Sequence, residues 1–169
     1  MAGLFLFAAC KKSVSALPPA TQTGANTFGA MVDGQMWTPQ QFGPFTANNI
    51  LEARLLGDNF YLKAQNFSAS PTETEFDLAI GGLTGPGTYA LNVNTNYGSN
   101  GVNYGYYVKR QLSPLNEWIT SSSNTGSITI SKCDTANHII SGTFQFSAGE
   151  INNSAPALTV ADGRFDVRY

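Results

Sequence analysis

From Phe28 onward, hydrophobic and polar positions alternate with period two, and turn-forming residues break the alternation every 8–15 residues. That pattern predicts short strands joined by turns. Phe28, Ala30 and Val32 share one face, Asp33-Gly34 reverses the chain, and Met36-Trp37 resumes it. Leu51, Ala53 and Leu55 line one face of the next strand, and Phe60, Leu62 and Ala64 that of the strand after it. A two-residue loop at Asp58-Asn59 would set Leu55 opposite Leu62 and Ala53 opposite Ala64. Slipping by one residue would put apolar against polar faces. The same register places Arg54 opposite Lys63, with Glu52 and Asp77 near enough to offset the like charges. Further strands are predicted at 75–80, 88–93, 104–110, 127–133, 139–147 and 158–169. Within the last, Asp162-Gly163 reads as a turn or a bulge. Only 113–119 has the features of a helical turn. No long helix alternates with the strands, so parallel βαβ units are not expected. The predicted fold is all-β: an antiparallel β-sandwich of about 8–10 strands over residues 27–169, with a partly closed β-barrel as the alternative.

The first 26 residues follow another logic. The run MAGLFLFAA ends in Ala8-Ala9 before Cys10. Two small residues before a cysteine resemble a lipobox, in which the Cys10 thiol takes a diacylglyceryl group and residues 1–9 are removed as a signal peptide. Phe7 departs from the usual Leu. The apolar run is short and no basic residues precede it, so the start is expected to lie upstream. Residues 11–26 carry Pro18-Pro19 and small polar residues without a hydrophobic period, as a tether would. No run of 18 apolar residues is present.

Composition narrows the function classes. Charged residues make up 12% of the 169, about half the ~25% of ordinary soluble domains. Gly, Asn, Ser, Thr and aromatics replace them, which suits strands and turns. A formal net charge of -2 with no basic stripe argues against a nucleic-acid partner. If Cys10 is lipidated, Cys133 is left as a single thiol on a strand end.

Several segments together resemble the small lipoproteins of unknown function of the Bacteroidota envelope. They are Ala9-Cys10-Lys11-Lys12, the hairpin Asp33-Gly34 with Trp37, Gly126-Ser127-Ile128-Thr129-Ile130, the stretch from Ile140 to Ala148, and the ending Asp162-Gly163-Arg164-Phe165-Asp166-Val167. The resemblance implies an envelope location and an all-β fold. It supplies no mechanism.

Candidate chemistry is sparse. His138 is the single histidine and falls in a polar hairpin loop, and no Gly-x-Ser-x-Gly elbow accompanies it. Neither a zinc-type ligand set nor a calcium-type loop is present, and no cofactor or metal is expected. Glu73, Glu75 and Asp77 offer carboxylates for glycoside hydrolysis. Their alternation beside Arg54 and Lys63 reads more simply as a solvated charged face. Asp134-Thr135-Ala136 resembles an O-glycosylation sequon, which makes Thr135 a candidate modification site. The segment 92–107 mixes four tyrosines with five asparagines. Tyr gives rigid amphipathic contact area and Asn adaptable hydrogen bonds. Within it, Tyr97, Asn100, Asn103, Tyr104 and Tyr107 are the candidate ligand-binding residues.

The expectation is therefore a lipid-anchored envelope module without catalytic residues, binding a glycan, peptide or protein through loops at one end of the domain. Two alternatives are a carboxylate-based glycan hydrolase and a structural component of an outer-membrane assembly. Lys11-Lys12-Ser13 after the cysteine, in place of an acidic run, favours the periplasmic side of the outer membrane over the cell surface.

Overall fold

A computed structural model describes residues 16–42, 49–68, 72–110 and 116–169. The described residues form eleven strands and no helix: β1 (Thr27–Val32), β2 (Gln35–Trp37), β3 (Leu51–Leu56), β4 (Asn59–Asn66), β5 (Thr74–Ile80), β6 (Gly87–Leu91), β7 (Tyr104–Lys109), β8 (Asn116–Ile119), β9 (Gly126–Asp134), β10 (Ile139–Glu150) and β11 (Leu158–Arg168). All paired strands run antiparallel. One layer runs β2-β1-β11-β10-β9-β6 and the other β8-β7-β5-β4-β3. The long strand β10 joins them, because its last two residues, Gly149 and Glu150, pair with Ile119 and Trp118 of β8. The sheet thus curls over itself as a half-barrel. It has the two facing layers of a sandwich and the single closed side of a partial barrel. Cys10 and the lipobox lie outside the described residues.

Inward residues from both layers meet around Phe76, which is fully buried. Its ring centroid lies 4.8 Å from Trp37, 4.8 Å from Tyr107 and 5.5 Å from Phe28. Such tilted and edge-on pairs contribute beyond simple burial. The alternation read from the sequence supplies this core: Phe28 and Ala30, Phe60, Leu62 and Ala64, and Phe165 with Val167 all point inward.

Local turn chemistry explains the joints. Asp33 and Gly34 have φ of 47° and 76°, the two positive values that a type I′ hairpin requires. The β3–β4 turn corrects the expected register. Its loop is Gly57-Asp58, so Leu55 faces Phe60, Ala53 faces Leu62 and Leu51 faces Ala64. The slip is two residues, so the same side chains stay inward. Gly57, with φ 64°, fits the first central position of a type II′ turn, where a side chain would be strained. Outside, Glu52 now faces Lys63 and Arg54 faces Tyr61, which replaces a like-charge pair by an opposite one. Residues 116–119 form β8 rather than a helical turn, held between β7 and β10; residues 113–115 lie outside the described residues. Asp162-Gly163 is a bulge: pairing advances from Phe144 to Phe146 on β10 while β11 goes from Gly163 to Val160. A Cβ on Gly163 would come within 2.5 Å of the Phe144 ring.

Part of the stretch read as a tether packs on the domain. Leu17 and Pro18 lie over Gly29, and residues 21–25 wrap Asp166 on the outer face of β11. The Asp166 carboxylate accepts hydrogen bonds from the Thr21 hydroxyl at 2.6 Å, the Ser141 hydroxyl at 2.7 Å and the backbone N–H of Thr23, Gly24 and Ala25 at 2.8–3.1 Å. Burial works against its charge, yet these donors, led by Thr21 and Ser141, hold the carboxyl well below the usual range.

Candidate functional site

The outer face of β4, β5 and β7 carries the most unusual chemistry. Period two places Tyr61, Lys63 and Gln65 of β4 on this face, with Glu75, Asp77 and Ala79 of β5 and Tyr104, Tyr106 and Val108 of β7 beside them. An outward row of this kind is expected to meet water. Instead the segment 92–103 folds back over it. Tyr97 stacks on Tyr106 at 4.2 Å and meets Tyr104 edge-on at 6.4 Å. Asn103 fixes the end of the segment by accepting from the Gly81 N–H at 2.9 Å and donating to the Ala90 carbonyl at 3.1 Å. Gly81 must lack a side chain, since a Cβ there would lie 2.2 Å from the Gly101 backbone. Tyr104, Tyr106, Val108 and Ala79 form a second small apolar cluster under this cover.

Two carboxylates are trapped beside that cluster. Glu75 is 1% exposed and Asp77 9%. Glu75 is well partnered: Gln65 donates to it at 2.6 Å, Arg110 at 3.2 Å, and Lys63 Nζ lies 3.4 Å away. Asp77 has Lys63 at the longer distance of 3.9 Å. Its Oδ2 is one of two buried side-chain oxygens without a hydrogen-bond partner among the described residues; the other is Glu150 Oε1. Glu150 already caps a turn through Oε2, which accepts from the N–H of Asn152 and Ser154 at 2.8 and 2.7 Å. Burial and the adjacent Glu75 charge push the Asp77 carboxyl up to about 7. Burial opposes ionisation of Glu75 as well, but the hydrogen bond from Asp77 and the charge of Lys63 keep it below its ordinary value. The pair therefore holds one proton near neutrality, on the Asp77 side. Tyr97 is raised by burial and by the Asp77 charge, and Tyr104 is pushed up to about 12, chiefly by burial.

A groove of about 310 Å³ opens beside Asp77, lined by Glu52, Arg54, Leu56, Tyr61, Lys63, Asp77 and Asn100. The Tyr61 hydroxyl donates to Asn100 Oδ1 at 3.1 Å, which ties the covering segment to β4. Arg54 binds Glu52 across the outer edge.

A protein-family model described as a domain of unknown function (DUF6252) matches residues 25–166. The chain belongs to the DUF6252 family. The matched span contains every strand that builds the groove, and it ends on Asp166. Comparison with curated proteins and with solved structures gives no match.

The five candidate ligand residues do not form one site. Tyr97 and Asn100 lie on the cover beside the groove, and Tyr97 is 44% exposed. Asn103 is committed to Gly81 and Ala90. Tyr104 is buried beneath Tyr97. Tyr107 points to the opposite side of the sheet, into the core against Phe76 and Trp118. Sequence reasoning placed Lys63 and Asp77 together on a charged face, but it did not join Tyr61 to them and missed the segment that covers that face. The signal for the cover was Tyr106 beside Tyr107: large aromatics on both faces of β7 mark a strand covered on both sides.

Elsewhere, His138 is exposed at the β9–β10 turn with φ 55°, its ring edge-on to Tyr169. Thr135 is exposed in the same turn. Cys133 is a free thiol partly packed against the core, raised by burial and by Asp134. Among the described residues no group of three or more His, Cys, Asp or Glu side chains gathers as metal ligands do.

Proposed function

We propose that this protein is a binding module held by lipid on Cys10 at the periplasmic side of the outer membrane, and that its ligand sits in the groove beside Asp77. The carrying observation is the Asp77 oxygen: a buried carboxyl oxygen with no partner, on a residue that lines an open groove. Such a group costs stability unless something completes it. The fold does complete another buried outer-face carboxylate, Asp166, with donors from four residues of the N-terminal segment and from Ser141. The docked segment 16–26 supports the tethered arrangement, because it fixes where the chain leaves the domain.

A hydrolytic reading draws on the same pair, since a neutral carboxyl beside an ionised one resembles an acid and its partner. Glu75 and Asp77 stand on one face of β5 and share Lys63, whose Nζ lies 3.4 and 3.9 Å from them. Glycoside hydrolases hold their carboxyls about 5–5.5 Å or about 6.5–9.5 Å apart. Only Asp77 of the two lines the groove, and Glu75 is 1% exposed beneath it, so a glycosidic bond cannot lie between them and binding fits the geometry better.

Both halves are testable. Cys10→Ala should move the protein from the membrane to the soluble fraction, and mass spectrometry of the native chain should find acyl mass on Cys10. Amide NMR of the soluble Cys10→Ala chain, titrated with neutral monosaccharides and dipeptides, should shift Tyr61, Lys63 and Asn100 with a member of one class. Titrations that leave these residues unmoved throughout would refute the groove as the site.

A further inference from the structure

The groove beside Asp77 also has a composition that selects among ligands, and the ligand class inferred from it rests on that groove being the binding site. Its charges cancel. Arg54 is paired with Glu52 across the rim, and Lys63 stands against the Glu75–Asp77 pair. An anion would meet Glu52, Asp77 and the buried Glu75 charge. A cation would meet Arg54 and Lys63. Neither is complemented, whereas an uncharged polar ligand is.

The hydrogen-bonding groups are mixed in the same way. Lys63 Nζ carries three protons and has its partners at 3.4 and 3.9 Å, so it retains donor capacity. Asn100 accepts from Tyr61 through its Oδ1 and offers its amide N–H groups as donors. Asp77 adds a carboxyl that lines the groove. A ligand with several hydroxyls, each able to donate and to accept, matches such a set better than one bearing only acceptors or only donors. The remaining lining is apolar. Leu56 is 61% exposed, and the half-buried Tyr61 ring is held in place by its hydroxyl bond to Asn100. An immobilised aromatic beside convergent polar groups suits a ring with a C–H face and a hydroxyl rim. The volume of about 310 Å³ is at the lower end for small-molecule sites, which points to one ring unit rather than an extended chain.

We propose that the groove binds a single neutral saccharide ring, its C–H face on Tyr61 and Leu56 and its hydroxyls between Lys63, Asn100 and Asp77.

The probe set is glucose, galactose, mannose, N-acetylglucosamine and N-acetylgalactosamine, with glucuronate and a dipeptide panel as contrasts, titrated into the soluble Cys10→Ala chain by amide NMR. At least one neutral sugar should shift Tyr61, Lys63 and Asn100 together, and glucuronate should bind more weakly. Tyr61→Ala should weaken that sugar by about tenfold, as expected for loss of one ring contact, while Tyr61→Phe should retain most of the affinity. Both variants keep the β3–β4 pairing, checked by an unchanged core spectrum. Shifts at these residues with dipeptides or glucuronate alone would overturn the saccharide assignment and leave the groove as a binding site. No shift with any probe would overturn both.

Discussion

Asp166 and Asp77 are two solutions to one problem. Each lies on the outer face of a sheet, each is buried by a segment folded over it, and each comes from a strand whose alternation would put it in water. Over Asp166 the covering segment, 21–25, brings hydroxyl and backbone donors that satisfy both oxygens. Over Asp77 the covering segment, 92–103, brings tyrosine rings and leaves Oδ2 unpartnered. The first carboxylate is driven far down and the second up to about 7. Similar burial therefore means opposite things. Asp166 is a structural clamp, and Asp77 is a carboxyl that the fold leaves with one oxygen unpartnered.

Removing each carboxylate in turn puts the contrast at greatest risk. Asp166→Ala should destabilise the domain by about 3 kcal/mol, since several charge-assisted hydrogen bonds are lost and their donors are left buried. Urea denaturation would measure that. Limited proteolysis should cut within 16–26 in the variant alone. Asp77→Asn should behave oppositely and stabilise by about 1 kcal/mol at pH 8, because it removes an unfavourable buried charge. At pH 4, where Asp77 is protonated in the fold, the same substitution should be nearly neutral. A loss of stability at pH 8 would mean that the carboxylate is satisfied after all.

The signs also separate in a pH series. Asp166 is depressed in the fold, so its contribution is complete above the unfolded value of about 3.9 and fades as pH falls through and below it. Asp77 is raised, so the folded state holds its proton longer, and stability should decline as pH climbs from about 4 to about 7. Lowered Glu75 acts with Asp166 in the acid range, and Lys63 and Tyr97 facing the pair are both raised above already high ordinary values. The decline between pH 4 and 7 should thus vanish in Asp77→Asn and persist in Asp166→Ala. The smallest effect is expected from Tyr97→Ala. Losing one exposed ring stack should cost about 0.5–1 kcal/mol and let the Asp77 carboxyl fall toward the ordinary range as water reaches it.

The strands of both carboxylates were legible in the sequence, and the cover over them was not. Alternation located the strands and the inward faces, because burial on one face leaves a period-two record. Turn positions were legible to within a residue or two: Asp33-Gly34 names its own turn, whereas Gly57-Asp58 and Asp58-Asn59 both look like turns, and only the φ of Gly57 separates them. Alternation does not record cover by a distant segment. Glu75 and Asp77 read as solvated because their shielding comes from Tyr97, about twenty residues on, and Asp166 reads as solvated because its donors come from Thr21 to Ala25 at the other end of the chain. Tyr107 was grouped with Tyr97 by composition, and one step of the strand period puts it in the core instead.

A carboxyl-carbon NMR titration that follows Asp77 and Asp166 in one sample tests the contrast between them at its root. Asp77 should titrate near neutrality while Asp166 stays ionised down to the acid unfolding of the domain. Two ordinary titrations, both close to pH 4, would contradict the assignment of one carboxylate to the fold and the other to a ligand.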